Sequence, residues 1–200
     1  MRIFPNNRQV NRVVQDSKNI QVKRELKESA IPLCWDATNK FAQFCYCVER
    51  LVKPENVVET GVGRGISTTF ILQALNENEK GCLYSVELPP LIKGAINNVG
   101  IFVPQKLKAK WTLIFGPGDQ EMLKLRKKLN MIDLFIHDSQ HSYSNQYREY
   151  NLTIPWLKGG GLLVSDDVEN DALFDINEKL EGELMIIRQQ KPGFIGIIIK

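Results

Sequence analysis

Val57-Val58-Glu59-Thr60-Gly61-Val62-Gly63-Arg64-Gly65-Ile66-Ser67 is the stretch on which the fold turns. A short apolar run delivers an acid and then a glycine at every second position, which reads as a strand, a ligand-cradling loop and the start of a helix. A dinucleotide loop requires G-x-G-x-x-G, whereas here the third glycine comes one residue early and Ile66 fills the next slot. Glu59, two residues before Gly61, would repel a pyrophosphate. A carboxylate at a strand end suits a ligand carrying an ammonium or a hydroxyl. Gly61, Gly63 and Gly65, followed by Ile66 and Ser67, let the backbone come close to such a ligand.

Upstream of this loop, Phe41, Phe44, Cys45, Val48, Leu51 and Val52 keep helical spacing between Asp36, a candidate N-cap, and Pro54. Downstream, strands and helices alternate: a helix from Ser67 to about Asn76, strands over Leu83–Glu87 and Thr112–Phe115, and a helix over Gln120–Leu129. A strand over Ile132–His137 follows, then a helix with Tyr143, Tyr147, Tyr150, Ile154 and Leu157 on one face. Next come a strand over Gly161–Ser165 and a helix around 171–180. Strands Leu184–Arg188 and Phe194–Ile199 are joined by only Gln189-Gln190-Lys191-Pro192-Gly193, too short for a helical crossover and suited to an antiparallel hairpin. The pattern predicts an α/β fold with helices on both faces of a mostly parallel sheet and a reversed final strand. A dinucleotide-binding sheet, normally all parallel, does not end this way.

Ligands in open α/β sheets bind outside the carboxyl ends of the strands, so strand-end polar residues are the candidate site. Leu83-Tyr84-Ser85-Val86-Glu87 ends in a carboxylate placed to accept hydrogen bonds from two ribose hydroxyls. In Gly116-Pro117-Gly118-Asp119, Asp119 either faces an adenine amino group or caps a helix. Asp138, after the strand ending at His137, and Asp166-Asp167, after Gly161-Leu162-Leu163-Val164-Ser165, bring three carboxylates to neighbouring strand ends. They would repel one another without a cation, and hard oxygen donors favour Mg²⁺. On a regular strand Asp166 and Asp167 would point to opposite faces, so both reach one ion only where the strand has given way to loop; otherwise one of them caps the next helix. His141, three residues past Asp138, is placed to take a proton from a substrate hydroxyl. His137 lies inside the strand run and reads as a buried, hydrogen-bonded histidine. A zinc pair His137-x-x-x-His141 would need a helical face that the strand-to-loop change removes.

At 200 residues, with 43% hydrophobic and 24% charged, the chain has the size and composition of one soluble globular domain. Residues 1–34 are polar and read as an arm or marginal helix, leaving 35–200 as the folded domain. A net charge of +3 does not argue for nucleic acid, and the clusters Lys106, Lys108, Lys110 and Lys124, Arg126, Lys127, Lys128 read as solvated faces. The four cysteines, with neither C-x-x-C spacing nor a disulfide framework, point to reduced thiols in the cytoplasm. No apolar run approaches membrane-spanning length and the N-terminal residues show no secretory signal, so neither membrane insertion nor export is expected.

The motifs Glu59–Ser67, Phe135–Tyr143 and Gly160–Asp167, in this order, resemble those of the class I S-adenosyl-L-methionine (SAM) dependent methyltransferases, and more narrowly methyltransferase family 24. The resemblance runs from about Trp35 to Lys200. It implies a Rossmann-like seven-stranded sheet of order 3-2-1-4-5-7-6 with the last strand antiparallel, SAM over the carboxyl ends of the first strands, and methyl transfer to oxygen. In the related catechol-type O-methyltransferases a strand-end Asp and an Asp-Asn pair hold Mg²⁺. Asp138, Asp166 and Asp167 fall in like places, with Asp167 where that pair has Asn and His141 where the family's lysine base stands. The expected function is O-methylation of a small molecule or sugar, metal-assisted, by a chain able to act as a homodimer. Two rivals stand beside it: a SAM-binding module without catalysis, which would not need His141 or the aspartates, and a nicotinamide-dependent oxidoreductase, which the glycine spacing and terminal hairpin disfavour.

Overall fold

The computed structural model describes residues 7–22, 30–189 and 193–200. Along them run α1 (Asn7–Asn19), α2 (Asn39–Val52), β1 (Asn56–Thr60), α3 (Ile66–Glu77), β2 (Cys82–Glu87), β3 (Trp111–Phe115) and α4 (Gly118–Lys128). β4 (Ile132–His137), α5 (Tyr143–Thr153), β5 (Leu157–Ser165), α6 (Ala172–Leu180), β6 (Glu183–Arg188) and β7 (Phe194–Ile199) complete the order. The strands form one seven-stranded sheet in the order β3-β2-β1-β4-β5-β7-β6. β7 is antiparallel to both β5 and β6, and the remaining pairs are parallel. Order and reversed last strand are those expected from the sequence; the turn residues Gln190, Lys191 and Pro192 lie outside the described residues.

Val57 and Val58 show why the strands read as unbroken apolar runs: both are fully buried, on opposite faces of β1. On one face Phe41, Cys45, Ile71 and Leu75 of α2 and α3 pack with Val57, Leu134 and Val164. On the other, Tyr150, Trp156 and Leu173 pack with Val58, Phe135 and Leu163. Both faces are therefore closed by helices, and function is left to the strand ends.

Most boundaries fall within two residues of the sequence reading, and the larger differences lie at α2, α5 and β5. α2 is capped by Thr38, whose Oγ1 accepts the Phe41 N–H at 3.1 Å, and not by Asp36, which pairs with Arg64. α5 stops at Thr153 because Pro155 cannot supply the next N–H; a 3₁₀ turn over Ile154–Trp156 follows, and Leu157 opens β5 instead of extending the helical face. The glycine run is absorbed as an irregularity, with Ile132 opposite Leu157 but Leu134 opposite Leu162. The N-terminal arm also holds more structure than its polarity suggests. α1 packs on α2 and buries Val13 and Ser17, two positions that share one helical stripe with Val10.

Glu49 of α2 is fully buried, and neither carboxyl oxygen has a hydrogen-bond partner among the described residues. Burial first, and the charge of Glu59 second, raise its carboxyl well above the usual range. A raised folded-state value means full stability below the ordinary carboxylate pKa and a loss as pH rises toward the folded one. Glu49→Met, of similar length, is therefore expected to stabilise the protein at pH 8 by about 1–3 kcal/mol, the scale of an unsatisfied buried polar group. Urea unfolding at pH 8 and pH 5 tests this: the gain should shrink at the lower pH, and a Met variant less stable at pH 8 would refute it.

Candidate functional site

The carboxyl ends of β1, β2, β4 and β5 meet along one edge of the sheet, and their order in the sheet puts the glycine loop between Glu87 and Asp138. The loop after β1 is left-handed at each glycine, with φ +85° at Gly61, +52° at Gly63 and +89° at Gly65. A Cβ on Gly61 would stand 2.0 Å from the Asp138 carbonyl oxygen, and one on Gly65 2.9 Å from Gly100 Cα. The glycines thus let the loop press against the β4 loop on one side and the β2–β3 crossover on the other. Gly100 N–H donates to Gly63 O and Phe102 N–H to Arg64 O, both at 3.0 Å, fixing the crossover to the loop.

Glu87 ends β2 beside this loop. Its Oε2 accepts the backbone N–H groups of Val62 at 2.5 Å and Gly63 at 3.1 Å, and no hydrogen bond reaches Oε1 among the described residues. Burial raises its carboxyl, and the two amides pull it back. Glu59 is placed differently. It has no exposed surface and accepts from Ser67 Oγ at 3.1 Å, Thr68 Oγ1 at 2.9 Å and Ser85 Oγ at 2.6 Å. Burial pushes it up to about 7 against those hydroxyls. The acid expected to touch a ligand therefore lies beneath the loop, tying the first turn of α3 to β2. Ile66 and Ser67 are buried in that turn. Asp119 stands in the first turn of α4, where its Oδ1 accepts the Gln120 N–H at 2.9 Å.

Asp138, His141 and Asp166 come together: one ligand atom from each lies within 4.8 Å of the others. Asp138 Oδ2 is 3.0 Å from Ser67 Oγ, which also faces Glu59 Oε1 at 3.1 Å. A hydroxyl has one proton to give, so one of the two carboxyls must carry a proton to complete the pair. Burial, then the charges of Asp166 and Glu59, raise Asp138 well above the carboxylate range. Asp166 is held by Gln189 Nε2 at 2.5 Å, and Gln189 in turn accepts from Thr38 Oγ1 at 2.7 Å.

Asp167 is outside the trio. β5 ends at Ser165, and Asp167 takes a left-handed φ of +46°, which turns it to the outer side of His141, 3.5 Å from Nδ1. The three carboxylates expected at one ion thus become two, with an imidazole in the third place. His141 lines an open hollow of about 490 Å³ with Asp167, Glu169 and Asn170. Burial, then neighbouring His137, lowers its pKa to about 4, so it is a neutral imidazole at pH 7. Two carboxylates and an imidazole do not fit Mg²⁺, which takes oxygen donors in a strict octahedron.

Behind the trio stands a network of which the sequence reading gave the buried, hydrogen-bonded His137 but not its partner Glu149. His137 is fully buried, with Nδ1 2.8 Å from Glu149 Oε2. Glu149 also accepts from Thr60 Oγ1 at 2.6 Å and Ser139 Oγ at 3.2 Å, and these donors hold it below the usual carboxylate range despite burial. Arg64 and Asp36 form a second buried pair, with Nε to Oδ1 at 2.9 Å, that locks the loop to the segment before α2.

Residues 58–168, more than half of the chain, match the family model described as a methyltransferase domain. The chain belongs to that family. No curated protein matches it in sequence. In fold this methyltransferase domain is similar to the O-methyltransferase from Bacillus cereus in complex with SAH, with a TM-score of 0.66 and 15% identity over 99% of this chain and 93% of that one. It is also similar to the O-methyltransferase TomG from Streptomyces achromogenes in complex with SAM (TM-score 0.62, 12% identity, 99% and 92% covered). The SAH-bound methyltransferase PaMTH1 of Podospora anserina gives a TM-score of 0.60 at 15% identity, with 100% and 99% covered. No described helix is long and apolar enough to cross a membrane.

Proposed function

We propose that this chain transfers the methyl group of SAM to a hydroxyl oxygen of a small molecule or sugar. The observation that carries the reading is the shared edge: a half-buried acid bonded to the glycine-loop amides stands across that loop from a cluster of proton-accepting groups. Family membership and likeness to O-methyltransferases solved with SAM or SAH support it. SAM supplies a methyl on a sulfonium, an electrophile that needs no further activation. In this reading Glu87 accepts from the ribose hydroxyls through its free Oε1, and Asp119 stands by the adenine. Gly61, Gly63, Gly65, Ile66 and Ser67 form the floor of the cofactor site, with Glu59 holding that floor from below.

His141 takes the proton of the acceptor hydroxyl. It is neutral at physiological pH and its ring lines the open hollow from which an acceptor would come. Asp138, next to it, orients the hydroxyl. Most of the rate comes from holding oxygen and methyl in line. Residues 35–200 carry this machinery, residues 1–34 form an arm, and the four free thiols fit a reducing cytoplasm.

His141→Ala is expected to leave SAM affinity within about twofold and to slow methyl transfer about 10²–10⁴-fold, the usual worth of a positioned base. Calorimetric titration of SAM and SAH release against a panel of hydroxylated acceptors measure the two halves. Full turnover in the variant would overturn the assignment of the base.

A further inference from the structure

We infer that Asp138, His141 and Asp166 bind a first-row transition dication of the Mn²⁺ or Co²⁺ kind in preference to Mg²⁺, with Asp167 orienting the histidine. Donor atoms of all three lie within 4.8 Å of one another, close enough to share one ion. Two carboxylates this near each other, Asp166 buried and Asp138 half-buried, destabilise the fold unless protons or a cation stand between them. An imidazole in the set shifts preference away from Mg²⁺ and toward ions that accept nitrogen as well as oxygen.

A second observation points the same way. His141 Nδ1 faces Asp167 Oδ2 at 3.5 Å, while Nε2 is buried with no hydrogen-bond partner among the described residues. A metal-binding histidine ordinarily gives its other ring N–H to a carboxylate, which fixes the tautomer and aims the free nitrogen. Asp167 is the carboxylate within reach of that nitrogen, at a distance that a small turn of the ring would close to a hydrogen bond, and Gln189 on Asp166 and Ser67 on Asp138 steady the other two ligands. His137 also has a carboxylate on Nδ1 and an unpartnered Nε2, but its donor atoms do not fall within the group that Asp138, His141 and Asp166 form.

A lone pair cannot hold a cation and accept a proton together. Loading the site and using His141 as the base are therefore alternatives. The inference itself does not rest on methyl transfer, since binding is measured with neither SAM nor acceptor present.

The test takes the full chain freed of metal with chelator and titrates Mn²⁺, Co²⁺ and Mg²⁺ by calorimetry. Zn²⁺ is avoided because it would also seek the exposed thiols of Cys34 and Cys82. One Mn²⁺ per chain is expected, at least about 30-fold tighter than Mg²⁺. Nitrogen coupling in the pulsed electron paramagnetic resonance spectrum of the Mn²⁺ form should disappear in His141→Ala. Asp167→Asn should weaken Mn²⁺ about 10-fold, the usual effect of removing an outer partner. Circular dichroism of the metal-free variants shows that they are folded. Mg²⁺ as tight as Mn²⁺, Mn²⁺ binding unchanged in His141→Ala, or no Mn²⁺ binding at all would each overturn the inference.

Discussion

Gly61→Ala is expected to destabilise the protein by about 2–5 kcal/mol, far more than a glycine-to-alanine change elsewhere on the surface. Two terms add. Alanine at φ +85° carries the left-handed penalty of about 1–2 kcal/mol. The new Cβ would also stand 2.0 Å from the Asp138 carbonyl oxygen, 2.4 Å from its carbon and 2.7 Å from Ser139 N. All three are backbone atoms, so no side-chain rotation relieves the clash, and overpacking of this kind costs about 1–3 kcal/mol. The loop has little room to retreat, since Gly61 N–H is bonded to Val86 O at 3.0 Å and Asp138 N–H to Thr60 O at 2.8 Å. Gly94 provides the control. Its φ of +82° is nearly the same, but a Cβ there meets nothing within 4 Å, so Gly94→Ala should show the conformational term alone. Urea unfolding of both variants decides the matter, and equal losses would show that the close approach at Gly61 is not a constraint.

That contrast also marks what was legible in the sequence. The strand–loop–helix unit is written locally: a buried run, then glycines whose spacing permits three left-handed turns, then a helix. The reversed last strand followed from a hairpin too short to cross over, whereas the sheet order came from the family resemblance of the motifs. The site was harder because its geometry depends on contacts far apart in sequence. Asp36 looked like a helix cap; its partner Arg64 lies 28 residues on. Gln189 reaches Asp166 from 23 residues away, and nothing in its neighbourhood marks it. Asp166 and Asp167 are equivalent on paper. Only the left-handed backbone at Asp167 separates them, and it hands the third place beside Asp138 and Asp166 to His141. Glu59, the most conspicuous acid in the sequence, is drawn beneath the loop by three hydroxyls, one from β2 and two from the α3 turn.

With Glu59 enclosed, Glu87 is the acid of the pair left with an oxygen at the loop that is unbonded among the described residues, and Glu87→Ala is expected to abolish measurable SAM binding. A hydrogen bond to a charged group contributes about 1.5–3 kcal/mol, so losing two ribose contacts removes about 3–6 kcal/mol, or roughly 10²–10⁴-fold in affinity. The same substitution frees the Val62 and Gly63 amides, which now point at Oε2. A loss through loop disorder must therefore be told apart from a loss of the ribose clamp. Glu87→Gln does this, because its amide oxygen still accepts from the loop N–H groups while its charge is gone. Calorimetry should give a Kd for SAM that rises about 10-fold in the Gln variant and beyond detection in the Ala variant, with adenine alone affected far less than adenosine. Adenosine and adenine weakened equally would assign Glu87 to the loop and not to the ribose. SAM binding untouched by either substitution would remove the cofactor site from this end of β2.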